Sequence, residues 1–308
     1  MLRALLISLS ESRWLRHLAE RSSPGQRVSS RFVAGTQPED VLKVAQNLNS
    51  AGLGVSIDNL GENVTTPNEA RQSGALYQQL LSEISARNLS ANISVKLTHM
   101  GLDVDPSLAQ DNVSALVAQA ARMHPPNFVR VDMEGAAYTQ RTIDLVCELH
   151  QQKQNRGCVG AVIQSYLHRS AKDVERLLAE GVRIRLCKGA YQEPAEIAYQ
   201  SKSEVDRNYI RLMQVLLKSG IYHGLASHDE NIIREAKALA TREKIDRDAF
   251  EFQMLYGIRR DLQQSLVEDG WRMRVYVPFG TEWYPYLMRR LAERPANLFF
   301  VAKNLFRK

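Results

Sequence analysis

Three cations crowd into Arg183-Ile-Arg-Leu-Cys-Lys188, and they alternate with apolar residues. Side chains along a strand point to opposite faces in turn, so Val182, Ile184 and Leu186 would share one face and Arg183, Arg185 and Cys187 the other. Burying a charge is costly unless it is paired or bound to something. A strand of this kind therefore lies on a surface, or its polar face lines a binding cavity. It ends at Lys188-Gly189-Ala190, where the glycine lets another group approach the backbone closely. A second candidate is the adjacent pair Arg289-Arg290. Tyr286, Arg289, Arg290 and Glu293 fall at i, i+3, i+4 and i+7, one stripe of a helix over 283–294 that Pro295 stops. Guanidinium forks suit a carboxylate or a phosphate, although an Arg-Arg pair alone serves a solvated face equally well.

Elements must hold these groups in place, and the chain supplies them in a repeating pattern. Short β-type runs occur at 55–60, 92–98, 128–133, 160–166, 182–187, 222–228, 250–255 and 273–278, with helix-length segments between them. Residues 1–22 and 38–51 read as helices, with Ser23-Pro-Gly breaking the first. Strands alternating with helices imply parallel neighbours, because parallel pairing needs crossovers. Eight such units predict a (β/α)8 TIM-like barrel over 51–308, preceded by N-terminal helices over 1–50 that pack on it, all as one domain, with a final helix over the mouth. An open doubly wound sheet is the alternative, weakened by the lack of a G-x-G-x-x-G loop after any run; Gly52-Leu-Gly54 does not fit.

Alternation then sorts the strand residues. One face is apolar: Val55, Ile57, Ile93, Val95, Leu97, Val129, Val131, Ile163, Val182, Ile184, Leu186, Phe250, Phe252, Val275 and Val277, and it should meet the helix ring. The other face carries Asp58, Lys96, Arg130, Asp132, Gln164, Arg183, Arg185, His228, Glu251, Gln253, Arg274 and Tyr276 and should point inward. Ordinary barrel interiors hold branched apolar residues. Ion pairing accounts for Arg130, Arg183, Glu251 and Arg274 near the strand starts. Lys96, Asp132, Gln164, Arg185, His228 and Tyr276 lie toward the carboxyl ends, where active sites of this fold sit.

Composition sets outer bounds. The chain of 308 residues has globular values of 44% hydrophobic and 24% charged residues and a net charge of +6, which favours anionic partners. No nucleic-acid-binding signature is present. Three scattered cysteines, Cys147, Cys158 and Cys187, make neither a disulfide framework nor a zinc site, so a reducing compartment is expected. The apolar run at the start is too short to span a membrane and reads as an amphipathic helix.

Taken together, Arg183 to Tyr191, Glu251-Phe-Gln-Met-Leu-Tyr-Gly257, Tyr276-Val-Pro-Phe-Gly280 and Tyr286-Leu-Met-Arg-Arg-Leu-Ala-Glu-Arg-Pro-Ala-Asn297 resemble the proline dehydrogenase family. Leu60-Gly-Glu62-Asn, Val129-Arg-Val-Asp132-Met-Glu and Ala226-Ser-His-Asp229 agree with it. The resemblance covers roughly 50–300 and is closest to the free-standing bacterial enzyme, with no aldehyde dehydrogenase or DNA-binding segment in this sequence. It implies a flavin-bearing barrel that oxidises L-proline to Δ1-pyrroline-5-carboxylate, with FAD accepting a hydride and a membrane quinone reoxidising it. It implies that Lys96, Arg289 and Arg290 neutralise the substrate carboxylate and that Asp132 holds Lys96 and orders the site, its part in proton transfer being open. Arg185 and Gln164 would meet the flavin edge, where a cation favours the reduced, anionic ring. Met133, Cys187, Lys188, Gly189, Ala226, Ser227 and His228 would line the rest of the FAD site, with Glu293 on the ribose. Tyr191, Leu255 and Tyr276 would wall the substrate ring, and Glu62 would close a gate against Arg289. Two positions depart from the family pattern: Cys187 for a usual Val, and Gln192 where many members have Trp.

A quinone acceptor implies a cytoplasmic enzyme with peripheral membrane association, for which the apolar and basic tail over 296–308 is a candidate, the alternative being a closing helix packed under the barrel. Two other readings differ in class. One is a metal-dependent barrel hydrolase or aldolase using His228 and Asp229 with His223 or His99, although no H-x-H pair sits on a strand face and no metal is expected. The other is a non-catalytic anion-binding barrel.

Overall fold

The computed structural model describes residues 22–293, and the side chains of 23, 24, 26–28 and 289–293 lie outside what it describes. Eight parallel strands form a closed barrel in sequence order, from β1 (Gly54–Asn59), β2 (Ala91–Val95), β3 (Val129–Val131) and β4 (Val159–Gln164) to β5 (Arg183–Cys187), β6 (His223–Ala226), β7 (Phe250–Leu255) and β8 (Met273–Phe279), which pairs back onto β1. Among the described residues, two helices precede the barrel: α1 (Ser23–Phe32) and α2 (Pro38–Ser50). The crossovers carry α3 (Pro67–Ala86), α4 (Pro106–Arg122), α5 (Thr139–Gln151), α6 (Ser170–Ala179), α7 (Lys202–Leu217), α8 (Glu230–Arg242) and α9 (Arg260–Glu268). The last helix, α10 (Trp283–Glu293), follows β8. The expected barrel is thus the observed one.

Alternation explains the layering. The apolar set on the outer strand face is buried, Val55, Ile57, Ile93, Val129, Val131, Ile184 and Val275 completely so, and it packs with Tyr77, Leu80, Leu116, Ile143 and Leu212 from the helix ring. Side chains of this size contribute about 1.5–3 kcal/mol each when buried, so this ring supplies most of the driving force.

The segment Ser23-Pro-Gly opens a helix, and whether it also ends one over 1–22 falls outside the described residues. The Ser22 hydroxyl accepts from Gly25 N and caps α1, with the proline in its first turn, where a missing N–H costs nothing. Residues 1–21, read as a helix from the sequence, lie outside the described residues, as does the 296–308 tail. After α1 the chain joins the barrel through Ala34 N to the Pro278 carbonyl (2.9 Å). Gly257 (φ +76°) lies against the carbonyl of Arg31, where any Cβ would collide. The helix α10 buries Trp283, Tyr284, Tyr286 and Leu287 against Val33 and against Leu60 from the loop after β1. That contact brings the helix over the strand carboxyl ends.

Candidate active site

A cavity of about 570 Å3 opens at the carboxyl ends of the strands. It is lined by Glu62, Lys96, Asp132, Met133, Gln164, Arg185, Cys187, Lys188, Gly189, Tyr191, Ala226, Ser227, His228, Leu255 and Tyr276, which are the candidate site residues apart from Arg289, Arg290 and Glu293. The side chains of those three lie outside the described residues, although Glu282, Pro285 and Tyr286 of the same segment reach the cavity.

Register determines who meets whom inside the barrel. Ser94 of β2 pairs with Asp58 of β1 on one side and with Arg130 of β3 on the other. Lys96 and Asp132 each lie two residues further along and so share the inward face. Lys96 Nζ donates to Asp58 Oδ1 at 2.8 Å. The expectation that Asp132 holds Lys96 is therefore corrected: Asp58 is the hydrogen-bonded partner, and Asp132 Oδ1 accepts from Ser94 Oγ (2.7 Å) and from Arg185 (2.8 Å). The other carboxylate oxygen of Asp132 accepts from the Tyr276 hydroxyl at 2.8 Å.

Arg185 crosses the barrel from β5. Its guanidinium donates to Gln253 Oε1 (2.5 Å), Ser94 Oγ (2.9 Å), Asp132 Oδ1 and Ser56 Oγ (3.0 Å), tying β5 to β7, β2, β3 and β1. It also lies over the Tyr276 ring at 5.2 Å. A planar fork with five donors can do this where an ammonium could not.

Electrostatics follow from burial and pairing. Burial opposes the Lys96 charge, but Asp58 and Asp132 outweigh it and hold its pKa above the ordinary value. Burial raises Asp58 despite Lys96, and burial, then Asp132, raises the Tyr276 phenol far above its usual range. Tyr276 is thus a neutral donor. Beneath this layer Arg274 pairs with Glu251 at 2.7 Å, and Tyr222 donates to the same carboxylate. Arg130 departs from the ion pairing expected of it: its guanidinium donates to the carbonyls of Ala161 (2.9 Å) and Arg183 (2.7 Å) and stacks on Phe128 at 4.5 Å. Arg183 stacks against Phe128 and Tyr222.

Two clusters escaped the sequence reading. Lys188 is clamped between Asp206 (2.5 Å) and Asp229 (2.8 Å), the latter pulled down to about 2 because Lys188 overcomes its burial. In the second, Glu134 accepts from both Thr98 N (3.1 Å) and Thr98 Oγ1 (2.6 Å), and its carbonyl accepts from the Gln164 amide (2.8 Å). Glu134 stood in the Asp132-Met-Glu motif, but nothing in the sequence joined it to Thr98. The histidines of the metal reading have other partners. Leu255 N donates to His228 Nε2, and Ile184 N donates to His223 Nδ1, whose Nε2 meets Ser219.

The lining combines amide, guanidinium and ammonium donors (Gln164, Arg185, Lys188) with apolar surface from Met254, Leu255, Ile258 and the Tyr276 ring. That donor set suits a ligand with a flat heteroaromatic ring and anionic groups. A polar cavity at the carboxyl ends of a (β/α)8 barrel defines the class, a barrel enzyme with its chemistry at the mouth. The family model for proline dehydrogenase matches residues 41–303. Proline dehydrogenase 1 of Bacillus subtilis strain 168 is 38% identical over 309 residues, covering all of both chains. Proline dehydrogenase of Deinococcus radiodurans is 38% identical over 287 residues, 91% of this chain and 90% of that protein. Among solved structures, proline utilization A from Bdellovibrio bacteriovorus inactivated by N-propargylglycine superimposes with a TM-score of 0.82 at 26% identity, over 90% of this chain. This chain spans 34% of that longer one. The chain belongs to the proline dehydrogenase family and is an oxidoreductase.

Proposed function

We propose that the protein oxidises L-proline to Δ1-pyrroline-5-carboxylate with FAD in the 570 Å3 cavity, and that a membrane quinone takes the electrons. The observation that carries this reading is Lys96. Its ammonium has three donors and, among the described bonds, gives one to Asp58, so it can offer others to a carboxylate in the cavity. Family membership supplies the name of the substrate.

The residues lining the cavity fit FAD by their donor chemistry: Gln164 and Arg185 for the ring edge, and Met133, Cys187, Lys188, Gly189, Ala226, Ser227 and His228 along the remaining wall. When bound, FAD supplies the acceptor for the hydride that leaves the substrate. The protein supplies charge and position. Lys96 meets the substrate carboxylate, with Arg289 and Arg290 proposed to share it. Arg185, already fixed by four side chains, holds a cation beside the reacting atoms at no cost in reorganisation. The Tyr276 ring, fixed by its bond to Asp132, limits substituents on the substrate ring together with Leu255 and Tyr191. Glu62 at the cavity edge is proposed to close over bound substrate toward Arg289, and Glu293 to meet the cofactor ribose.

No helix among the described residues is long and apolar enough to cross a membrane, so delivery to a quinone calls for docking at the bilayer surface, for which the 296–308 tail is proposed. The deciding experiment is spectroscopic. The purified protein should be yellow, or become so with added FAD, and should bleach anaerobically with L-proline. A protein that neither carries nor takes up FAD would end this reading.

A further inference from the structure

The loop after β1 carries Glu62, and it rests on two residues that follow β2, Thr98 and His99. Thr98 is 1% exposed. Its hydroxyl donates to Glu134 Oε2 at 2.6 Å, and its backbone N–H donates to Glu134 Oε1. With its proton committed to the carboxylate, the hydroxyl can only accept from the loop, and it does so from Asn63 N at 3.4 Å. Asn63 has φ +55°, a left-handed conformation that asparagine tolerates better than most residues and that turns its N–H toward Thr98. Gly61, on the other side of Glu62, lies flat on the His99 ring: a Cβ there would fall 2.5 Å from both Cε1 and Nε2. Burial and then the Lys96 charge push the His99 pKa down to about 4, so this platform is uncharged near neutral pH. The residues on both sides of Glu62 are thus seated on neighbouring residues of the β2 end. Glu134, the anchor of that seat, also holds the Gln164 amide through its carbonyl.

We propose that Thr98 is a positioning residue for substrate capture: with Glu134 behind it and His99 beside it, it seats the loop that places Glu62 at the cavity mouth. This rests on the proline-oxidising reading. Loop, anchor and cavity wall then form one assembly. Gln164 and Glu62 are both referenced to Glu134, the first through its backbone carbonyl and the second, by way of Thr98, through its carboxylate, so a loop that lifts from Thr98 leaves Gln164 in place and moves Glu62 alone. The fault is one of capture, not of chemistry.

Thr98→Val keeps the shape and removes the hydroxyl. It should raise KM for L-proline about tenfold, the upper end for loss of one hydrogen bond, with kcat changed less than about twofold. Thr98→Ser should restore the wild-type KM, and Gly61→Ala, which lifts the loop off His99, should reproduce the Thr98→Val effect. In a Glu62→Ala background Thr98→Val should add less than about twofold, because what it positions is already gone. Amide hydrogen exchange at 61–63 should speed up in Thr98→Val without any ligand present. A fall in kcat at constant KM, multiplication of the Glu62 and Thr98 effects, or unchanged exchange at 61–63 would overturn the proposal. If Thr98→Val fails to fold, Gly61→Ala and Thr98→Ser carry the same comparison. If the wild-type protein does not oxidise proline, the functional reading fails, and the exchange rates alone decide whether Thr98 seats the loop.

Discussion

At the level of single residues, the chemistry rests on who neutralises whom. Lys96 is 13% exposed and its side chain points at a carboxylate that is 2% exposed, so the pair is desolvated and strongly coupled. Asp58 raises the Lys96 pKa together with Asp132. Asp58→Asn should therefore lower it, and the alkaline limb of kcat/KM against pH should move to lower pH, with kcat/KM down by one to several orders of magnitude, about 2–5 kcal/mol. A limb that stays in place would return Lys96 to Asp132 as its controlling partner. Arg185 carries a different burden. Arg185→Met leaves Asp132 without its cation inside the barrel and should cost about 3–5 kcal/mol of stability, read as a lowered melting temperature, in addition to slower oxidation of proline. Full thermal stability would mean that the four bonds to Arg185 add nothing. Both residues were visible in the sequence as inward-facing polar positions. Their pairing was not, because it depends on cross-strand register, which no single strand encodes. Asp58 faced inward beside Lys96 by simple alternation, yet the partner assigned to Lys96 was the acid on the far side of Ser94.

At the level of elements, the strands were legible and their ends less so. Period-two alternation gave all eight strands within a few residues, since a slip of one would move every apolar side chain to the charged interior. Lys96 and Asp132 nevertheless fall just past the ends of β2 and β3, on backbone that is no longer paired as strand. The helix α1 was not read from the sequence, because proline and glycine after a serine look the same in a helix breaker and in a capped first turn. The side-chain bond from Ser22 decides it. Arg130 shows how an element accommodates a buried cation without a carboxylate. Gly160 of β4 has no side chain, and the Arg130 guanidinium occupies the space, bonded to the carbonyls of Ala161 and Arg183. A Cβ on Gly160 would meet Arg183 O and Arg130 Nη1. Gly160→Ala should then destabilise the barrel by about 1–3 kcal/mol, as overpacking does. Measured by denaturant unfolding, the loss should shrink in an Arg130→Met background, and equal losses in both backgrounds would show that the guanidinium is not the obstacle.

At the level of the whole molecule, the barrel holds charges of both signs at its axis and apolar rings around them, so its stability depends on pH through groups far from solvent. His223 is fully buried and His99 is 7% exposed. Burial, then Arg130, pushes His223 down to about 3, and burial, then Lys96, pushes His99 down to about 4. Both stay neutral in the folded chain at pH values where the unfolded chain, with histidines near their ordinary pKa of about 6.5, takes up protons. The unfolded state binds more protons between those limits, so stability rises with pH across that window and is lost as pH falls from about 6.5 toward 4. Above the ordinary histidine pKa neither group contributes a slope. Glu134 and Asp58, whose pKa values burial raises, act in the opposite sense, binding protons more readily in the folded state and so gaining stability as pH falls. Between pH 7 and pH 5 Asp58 and Glu134 therefore subtract from the histidine slope to the extent that they take up protons in the folded chain. Each pH unit of full histidine imbalance is about 1.4 kcal/mol. Fully developed, the two histidines lower the unfolding free energy by roughly 3–4 kcal/mol between pH 7 and pH 5, and the net drop is smaller by what Asp58 and Glu134 return. His223→Asn should reduce that slope even if it lowers stability at every pH. A wild-type stability that is flat or rising as the pH falls through this range would mean that the histidine imbalance is absent or is outweighed by proton uptake at Asp58 and Glu134, and an unchanged slope in His223→Asn would show that this imidazole is charged inside the barrel.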